Sequence, residues 1–240
     1  MNCRLLFLSL LLLWFSIGCS SGPSEIDEGL PLEEDTGAER SLDDFKALSA
    51  DGVEAKHHGR EELTLYGVEE LTVAEAENLA EFEGPVLSFP DLLVLEAEVA
   101  AKLAGFHADE ARLEFGALKT LDEATAAALV GWVGEELRLD GLTTLDKATA
   151  RYIGEQYVDR LSVNGLSEID AEIAAELVRA SHSTLELNGL QRLDVEAAKV
   201  LARWHGDTLE LKGIAELSEE VEEALQVFPK TVELSDTATK

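Results

Sequence analysis

Five histidines, two cysteines and 49 acidic residues are the groups in this 240-residue chain that could do catalytic or metal chemistry. His57 and His58 are adjacent, so on a strand they would point to opposite faces, and sharing one metal would require a bent loop. His107 and His205 each follow an aromatic residue, Phe106 and Trp204, at matching places in a repeat, and His182 lies one place later; this is punctuation rather than convergence. No zinc pattern, phosphate-binding glycine loop, dinucleotide fingerprint or nucleophile elbow occurs, and no Ser, His and acid set is brought together by spacing. Asp and Glu are the hard oxygen ligands calcium requires, yet the acidic stretches Asp27 to Glu34 and Glu216 to Glu223 lack the glycine-centred loop of a calcium-binding hand. The residues therefore predict no catalysis, no cofactor and no dedicated metal.

A second kind of chemistry remains, the hydrogen bonding and ion pairing of polar side chains set out at a fixed interval. From Leu63 the pattern LxLxGLxxL returns at Leu87, Leu113, Leu137, Leu161, Leu185 and Leu209, with spacings of 24, 26, 24, 24, 24 and 24 residues. One column between the two apolar strand positions reads Thr64, Ser88, Glu114, Arg138, Ser162, Glu186 and Glu210. The next outward column reads Tyr66, Pro90, Gly116, Asp140, Asn164, Asn188 and Lys212. Neither carries a tryptophan stripe for sugar stacking or a basic track. The candidate partner-binding residues are Tyr66, Arg138, Asp140, Asn164, Glu186 and Asn188, weighted to the middle of the ladder because end repeats serve as caps.

Those columns need a strand and a helix in every unit. In "LELNGLQRL", Leu185 and Leu187 alternate with Glu186 and Asn188, the two-residue period of a short strand with one buried face. Gly67, Gly141, Gly165, Gly189 and Gly213 follow where the chain must turn, with Asp91 and Ala117 in the second and third units. A glycine there supplies either a backbone angle or a close approach. The next stretch, "LDVEAAKVLARWHGDT", has the helical spacing Ala197, Leu201, Trp204, with Asp194 as its N-cap. Thr72, Asp122, Asp146, Asp170 and Ser218 match that cap. Each helix is expected to run about ten residues. Gly84, Gly134 and Gly206 are expected to end three of them with a left-handed backbone angle. An aromatic column, Phe82, Phe106, Trp132, Trp204 and Phe228, interrupted by Gln156 and Ala180, is read as closing the core. No unit can cover its own apolar faces, so the units must stack, with strands in a parallel ladder and helices on the other side.

At this point the units resemble leucine-rich repeats, in a compact bacterial form, over about residues 63 to 234. The resemblance implies an α/β solenoid with a short parallel strand ladder on one side and helices on the other, and a protein-binding role for the exposed strand face. One departure stands out. The polar residue that in the family satisfies buried backbone groups at the turn is replaced here by Leu142, Leu166, Leu190 and Ile214, so those groups need another partner.

The N-terminus has one basic residue, Arg4, and an apolar run from Leu5 to Phe15 broken only by Ser9, suited to a signal peptide and too short to span a bilayer comfortably. Ser16, Ile17, Gly18 and Cys19 resemble a bacterial lipoprotein signal, with Ser16 where Leu is usual. That resemblance implies removal of residues 1–18, acylation of Cys19 and anchoring of the exported chain to the cell envelope; Ser20 is similar to the signal for onward transport to an outer membrane. Residues 19–40 read as an acidic flexible tether, 41–62 as an N-terminal cap or degenerate repeat, 63–231 as seven repeats and 232–240 as a terminal strand and tail. With 49 acidic residues against 19 basic ones the net charge is −30, which repels nucleic acid. Two functional readings follow: an anchored, non-catalytic scaffold that binds another protein through its strand face, or a structural envelope lipoprotein without a specific ligand.

Overall fold

The computed structural model describes residues 40–41, 62–179 and 182–235. Cys19, the tether up to Glu39, His57, His58 and all but Ser41 and Glu62 of the expected N-terminal cap lie outside those residues. In chain order the elements are β1 (Arg40–Ser41), β2 (Glu62–Tyr66), α1 (Val73–Ala80), β3 (Val86–Phe89), α2 (Ala97–Leu103), β4 (Arg112–Phe115), α3 (Glu123–Leu129) and β5 (Val133–Arg138). They continue as α4 (Lys147–Gly154), β6 (Tyr157–Ser162), α5 (Ala171–Leu177), β7 (Thr184–Glu186), α6 (Val195–Leu201), β8 (Thr208–Leu211), α7 (Glu219–Leu225) and β9 (Thr231–Leu234).

The fold is α/β. The eight strands from β2 to β9 form a parallel sheet in sequence order, alternating with the seven helices, and β1 adds a two-residue rung beside β2. Arg40, the last residue assigned to the tether, thus belongs to a strand. The register places Leu63, Leu87, Leu113, Leu137, Leu161, Leu185, Leu209 and Val232 opposite one another in turn. One-repeat spacing in sequence has become one-strand spacing in space. Leu161, Leu185 and Leu209 are fully buried, and each such side chain removed from water contributes about 1.5–3 kcal/mol. The 26-residue spacing is absorbed without a register slip in the loop between α2 and β4, where Glu110 takes a left-handed φ of 57°.

The helices begin where the sequence expects them. Asp122, Asp146, Asp170 and Asp194 accept the backbone N–H groups of Thr125, Thr149, Ile173 and Ala197 at 2.7–2.8 Å. Ser218 caps Val221, and Thr72 with Glu75 forms a reciprocal capping box. Glu96, before α2, makes no such bond. The Thr125 and Thr149 hydroxyls donate to the Leu95 and Leu121 carbonyls one unit back, tying helix starts together through buried bonds.

The helices end earlier than expected, after seven or eight residues instead of about ten. The last turn tightens at each of these ends, including the one that leads to Gln156, whose N–H bonds back to the Ile153 carbonyl. The N–H groups of Phe82, Phe106, Trp132, Trp204 and Phe228 bond back three residues, to Leu79, Leu103, Leu129, Leu201 and Leu225. That tightened last turn swings each ring into the core. The rings are 0–6 % exposed, with Phe82 stacked on Phe106 at 6.3 Å and Trp204 on Phe228 at 6.0 Å.

The glycines also need correction. Among the described residues Gly67 is the one glycine with positive φ, at 71°, so Gly84, Gly134 and Gly206 are not left-handed helix caps. Gly134 and Gly206 are required for space: a Cβ on either would collide with the indole ring of Trp132 or Trp204. At the turn after the strand the demand on Gly67 is the backbone angle, whereas on Gly189 it is close approach, since a Cβ there would strike the Asn164 carbonyl of the preceding unit.

Candidate functional site: the outward strand face

The side chains that alternate with the buried residues of each strand and of the turn after it form three columns. Nearest the strand starts, Arg112, Glu136 and Arg160 stand opposite one another on β4, β5 and β6. The second column carries Glu114, Arg138, Ser162, Glu186, Glu210 and Glu233. The third carries Asp140, Asn164, Asn188 and Lys212. The first column lies one residue before each leading leucine, outside the expected polar columns, and shares the repeat period that marks it in the sequence.

The third column repairs the turn. Asp140 Oδ1 accepts the N–H of Asn164 at 3.0 Å, Asn164 Oδ1 accepts that of Asn188 at 2.7 Å, and Asn188 Oδ1 accepts that of Lys212 at 3.0 Å. Each side chain thus satisfies a backbone donor one unit further on. In the early units Asp91 works in the opposite direction, its Oδ2 accepting from Gly67 at 2.8 Å. These carboxylates and amides are the partners that the apolar Leu142, Leu166, Leu190 and Ile214 could not supply. Asp140, Asn164 and Asn188 were singled out for a partner, and the structure brings them together as an internal ladder.

Behind them lies a charged network. Arg160 Nη1 donates to Glu186 Oε1 at 2.5 Å and stands 3.5 Å from Glu210, while Arg138 Nε donates to Glu136 at 2.8 Å. Lys212 pairs with Glu210 and Glu233, each at 2.7 Å. The Ser162 hydroxyl donates to Asp140 at 2.5 Å, and Asn164 Nδ2 donates to Ser162 at 2.7 Å and Glu186 at 3.2 Å. The column Glu186, Glu210, Glu233 would place like charges on adjacent strands, and Arg160 and Lys212 are the counterions that make it tolerable.

Electrostatics follow from this packing. The hydrogen bond that Arg160 donates to Glu186 raises the Arg160 pKa above its ordinary value against the cost of its own burial. Burial works against the Arg138 charge, yet Glu136, Asp140, Glu114 and Glu186 outweigh it and its pKa also rises. For Glu210 burial alone would favour the acid; the bonds from Lys212 and Asn188 reverse this and hold its pKa below the ordinary carboxylate value. Bonds to Glu210 and Glu233 raise Lys212 strongly.

Exposure sorts the network into two layers. The side chains of Arg112, Arg138 and Arg160 are 43, 38 and 39 % exposed, whereas those of Glu136 and Glu186 are 12 and 7 % exposed. Glu186 was expected to face water and instead is buried, because Arg160, Ser162 and Asn164 close over it. Arg138 remains accessible, and Tyr66, at the other end of the sheet, is 44 % exposed and contributes nothing to this network.

The histidines do not converge. His107 is exposed and its Nδ1 bonds the Gly105 carbonyl at 2.8 Å; His205 is exposed; His182 is buried with Nδ1 donating to the Val158 carbonyl at 3.2 Å. Among the described residues no three His, Cys, Asp or Glu side chains gather to hold a metal ion, and no helix is long and apolar enough to cross a membrane. Comparison with protein-family models and with curated proteins returns no match to this chain.

Proposed function

We propose that the protein is a non-catalytic repeat scaffold, a leucine-rich-repeat-like solenoid held to the bacterial cell envelope by lipid on Cys19, which recognises another protein through its outward strand face. The observation that carries this reading is the layering of that face, with guanidinium groups at 38–43 % exposure above carboxylates at 7–12 %. The buried acids fix the arginines, so a partner meets pre-ordered donors and little side-chain entropy is lost on binding. The leucine register and the Asp/Asn ladder make the mounting rigid.

The alternative, a structural envelope lipoprotein without a specific ligand, draws support from one feature of the same face. Asp140, Ser162, Asn164 and Glu186 already satisfy one another, and Asn188 donates to Glu210. Capture from envelope extracts with the full-length protein and with an Arg112→Gln, Arg138→Gln variant separates the two readings. A partner retained by the wild type and lost by the variant, at unchanged circular dichroism, supports recognition; identical captured sets from both proteins would sink it. Globomycin-type inhibition of lipoprotein processing, read as a shift in mature mass, or Cys19→Ser with loss of membrane fractionation, tests the anchor separately.

A further inference from the structure

The repeat is broken in one described place. Where Phe82, Phe106, Trp132, Trp204 and Phe228 close the core, the fourth unit has Gln156, and the strands β5 and β6 beside it are six residues long, against four in β3, β4 and β8. Their extra length pairs Val133 with Tyr157 and Gly134 with Val158. A groove of about 610 Å³ opens there, with Val133, Gln156, Tyr157, Val158, Asp159 and Arg179 on its walls.

Its chemistry is one-sided. Val133 and Tyr157 are 65 and 72 % exposed, unusual for large apolar side chains on paired strands. Gln156 is buried; its Nε2 donates to the Tyr152 carbonyl at 3.3 Å while Oε1 has no donor. That oxygen is also closed to solvent, so it is a cost carried inside the fold and not a contact the groove presents. Arg179 is already held, 3.5 Å from Glu155 and 3.1 Å from Glu176, and Glu155 also takes Arg151. The Asp159 carboxylate is exposed and has no ion-pair partner among the described residues. The groove thus offers an aromatic face, an apolar wall and an uncompensated negative charge, on a chain of net charge −30.

From this juxtaposition we infer that the groove binds an arginine side chain of a partner protein. The guanidinium group donates to Asp159, its plane stacks on Tyr157, and its methylene stem lies along Val133, the exposed residue that Tyr157 pairs with across the two strands. A planar, weakly hydrated cation on an apolar stem meets all three demands; an ammonium group supplies the charge without the stacking plane. The site is separate from the strand-face arginines, so it stands or falls independently of them.

The test is a nuclear magnetic resonance titration of the full-length protein with Nα-acetyl-arginine amide, with the neutral isostere Nα-acetyl-citrulline amide alongside. Shifts are expected at Gln156, Tyr157 and Val158, with citrulline binding at least about tenfold more weakly. Asp159→Asn and Tyr157→Ala should each weaken the arginine derivative by about tenfold, while the charge-matched Glu123→Gln, on α3 and away from the groove, stays within about twofold. Asp159 and Tyr157 are exposed, so folding is not at stake. No shifts, shifts scattered over the acidic surface, equal binding of citrulline, or equal losses in Asp159→Asn and Glu123→Gln would each overturn the assignment.

Discussion

Ion pairs one repeat apart occur on both sides of this protein, and they have different consequences. On the helix side Lys147 pairs with Glu172 at 3.2 Å with side chains 59 and 70 % exposed, and Lys102 with Glu77 is similarly open to water. On the strand side Arg160 pairs with Glu186 at 2.5 Å, and Glu186 is 7 % exposed and also accepts from Asn164. Sequence separation and residue types are nearly the same. Solvent decides the outcome: high dielectric and side-chain entropy reduce the first group to a few tenths of a kcal/mol, while removal of water makes each unmet group in the second expensive.

The comparison predicts a graded response. Leu161→Ala should have the largest effect, a loss of about 2–5 kcal/mol, since this fully buried side chain sits under both faces; urea unfolding measures it, and a loss below about 1 kcal/mol would mean that the leucine register does not carry the stability. Glu186→Ala should cost about 1–3 kcal/mol by stranding Arg160 and the Asn164 amide, and the Glu186→Ala, Arg160→Ala double mutant should be less than additive. Next comes Asp194→Ala at about 1 kcal/mol, from loss of the α6 cap. Lys147→Ala should fall within about 0.5 kcal/mol of the wild type; a larger loss would erase the distinction between the faces.

A pH experiment sharpens the same contrast between buried and open groups. Burial lowers the His182 pKa below its ordinary 6.5 in spite of the bond to Val158. The unfolded chain therefore takes up a proton first as pH falls. The contribution of neutral His182 to stability is complete above about 6.5 and is lost as pH drops from there through the folded-state pKa. His182→Gln should flatten unfolding free energy between pH 7.5 and 5.5, the range chosen to bracket that ordinary value. Glu210 has the same sign at lower pH, its contribution present above about 4.5 and lost on further acidification.

Much of the architecture was readable from residues alone because it is local or periodic. Asp122, Asp146, Asp170 and Asp194 mark helix starts through bonds that span three residues, and the leucine spacing needs no knowledge of the stack to be seen. The polar columns were also visible, but not their roles. Asn164 just past a strand reads equally as a hydrated contact or as an internal acceptor, and only the distance to the Asn188 N–H in the next unit chooses between them.

What the sequence determined by itself was the period, the alternation of short strand and capped helix, and the set of apolar side chains that must share one core. The tertiary structure decided what lies across the gap between neighbouring units: that Asp140, Asn164 and Asn188 form a ladder, that Glu186 is covered, that Arg160 faces Glu136 and Glu186, and that Gln156 borders a groove. The physical reason is range. Capping and amphipathic spacing act within a turn or two of chain, whereas burial and pairing of a polar side chain depend on how one unit is set against the next.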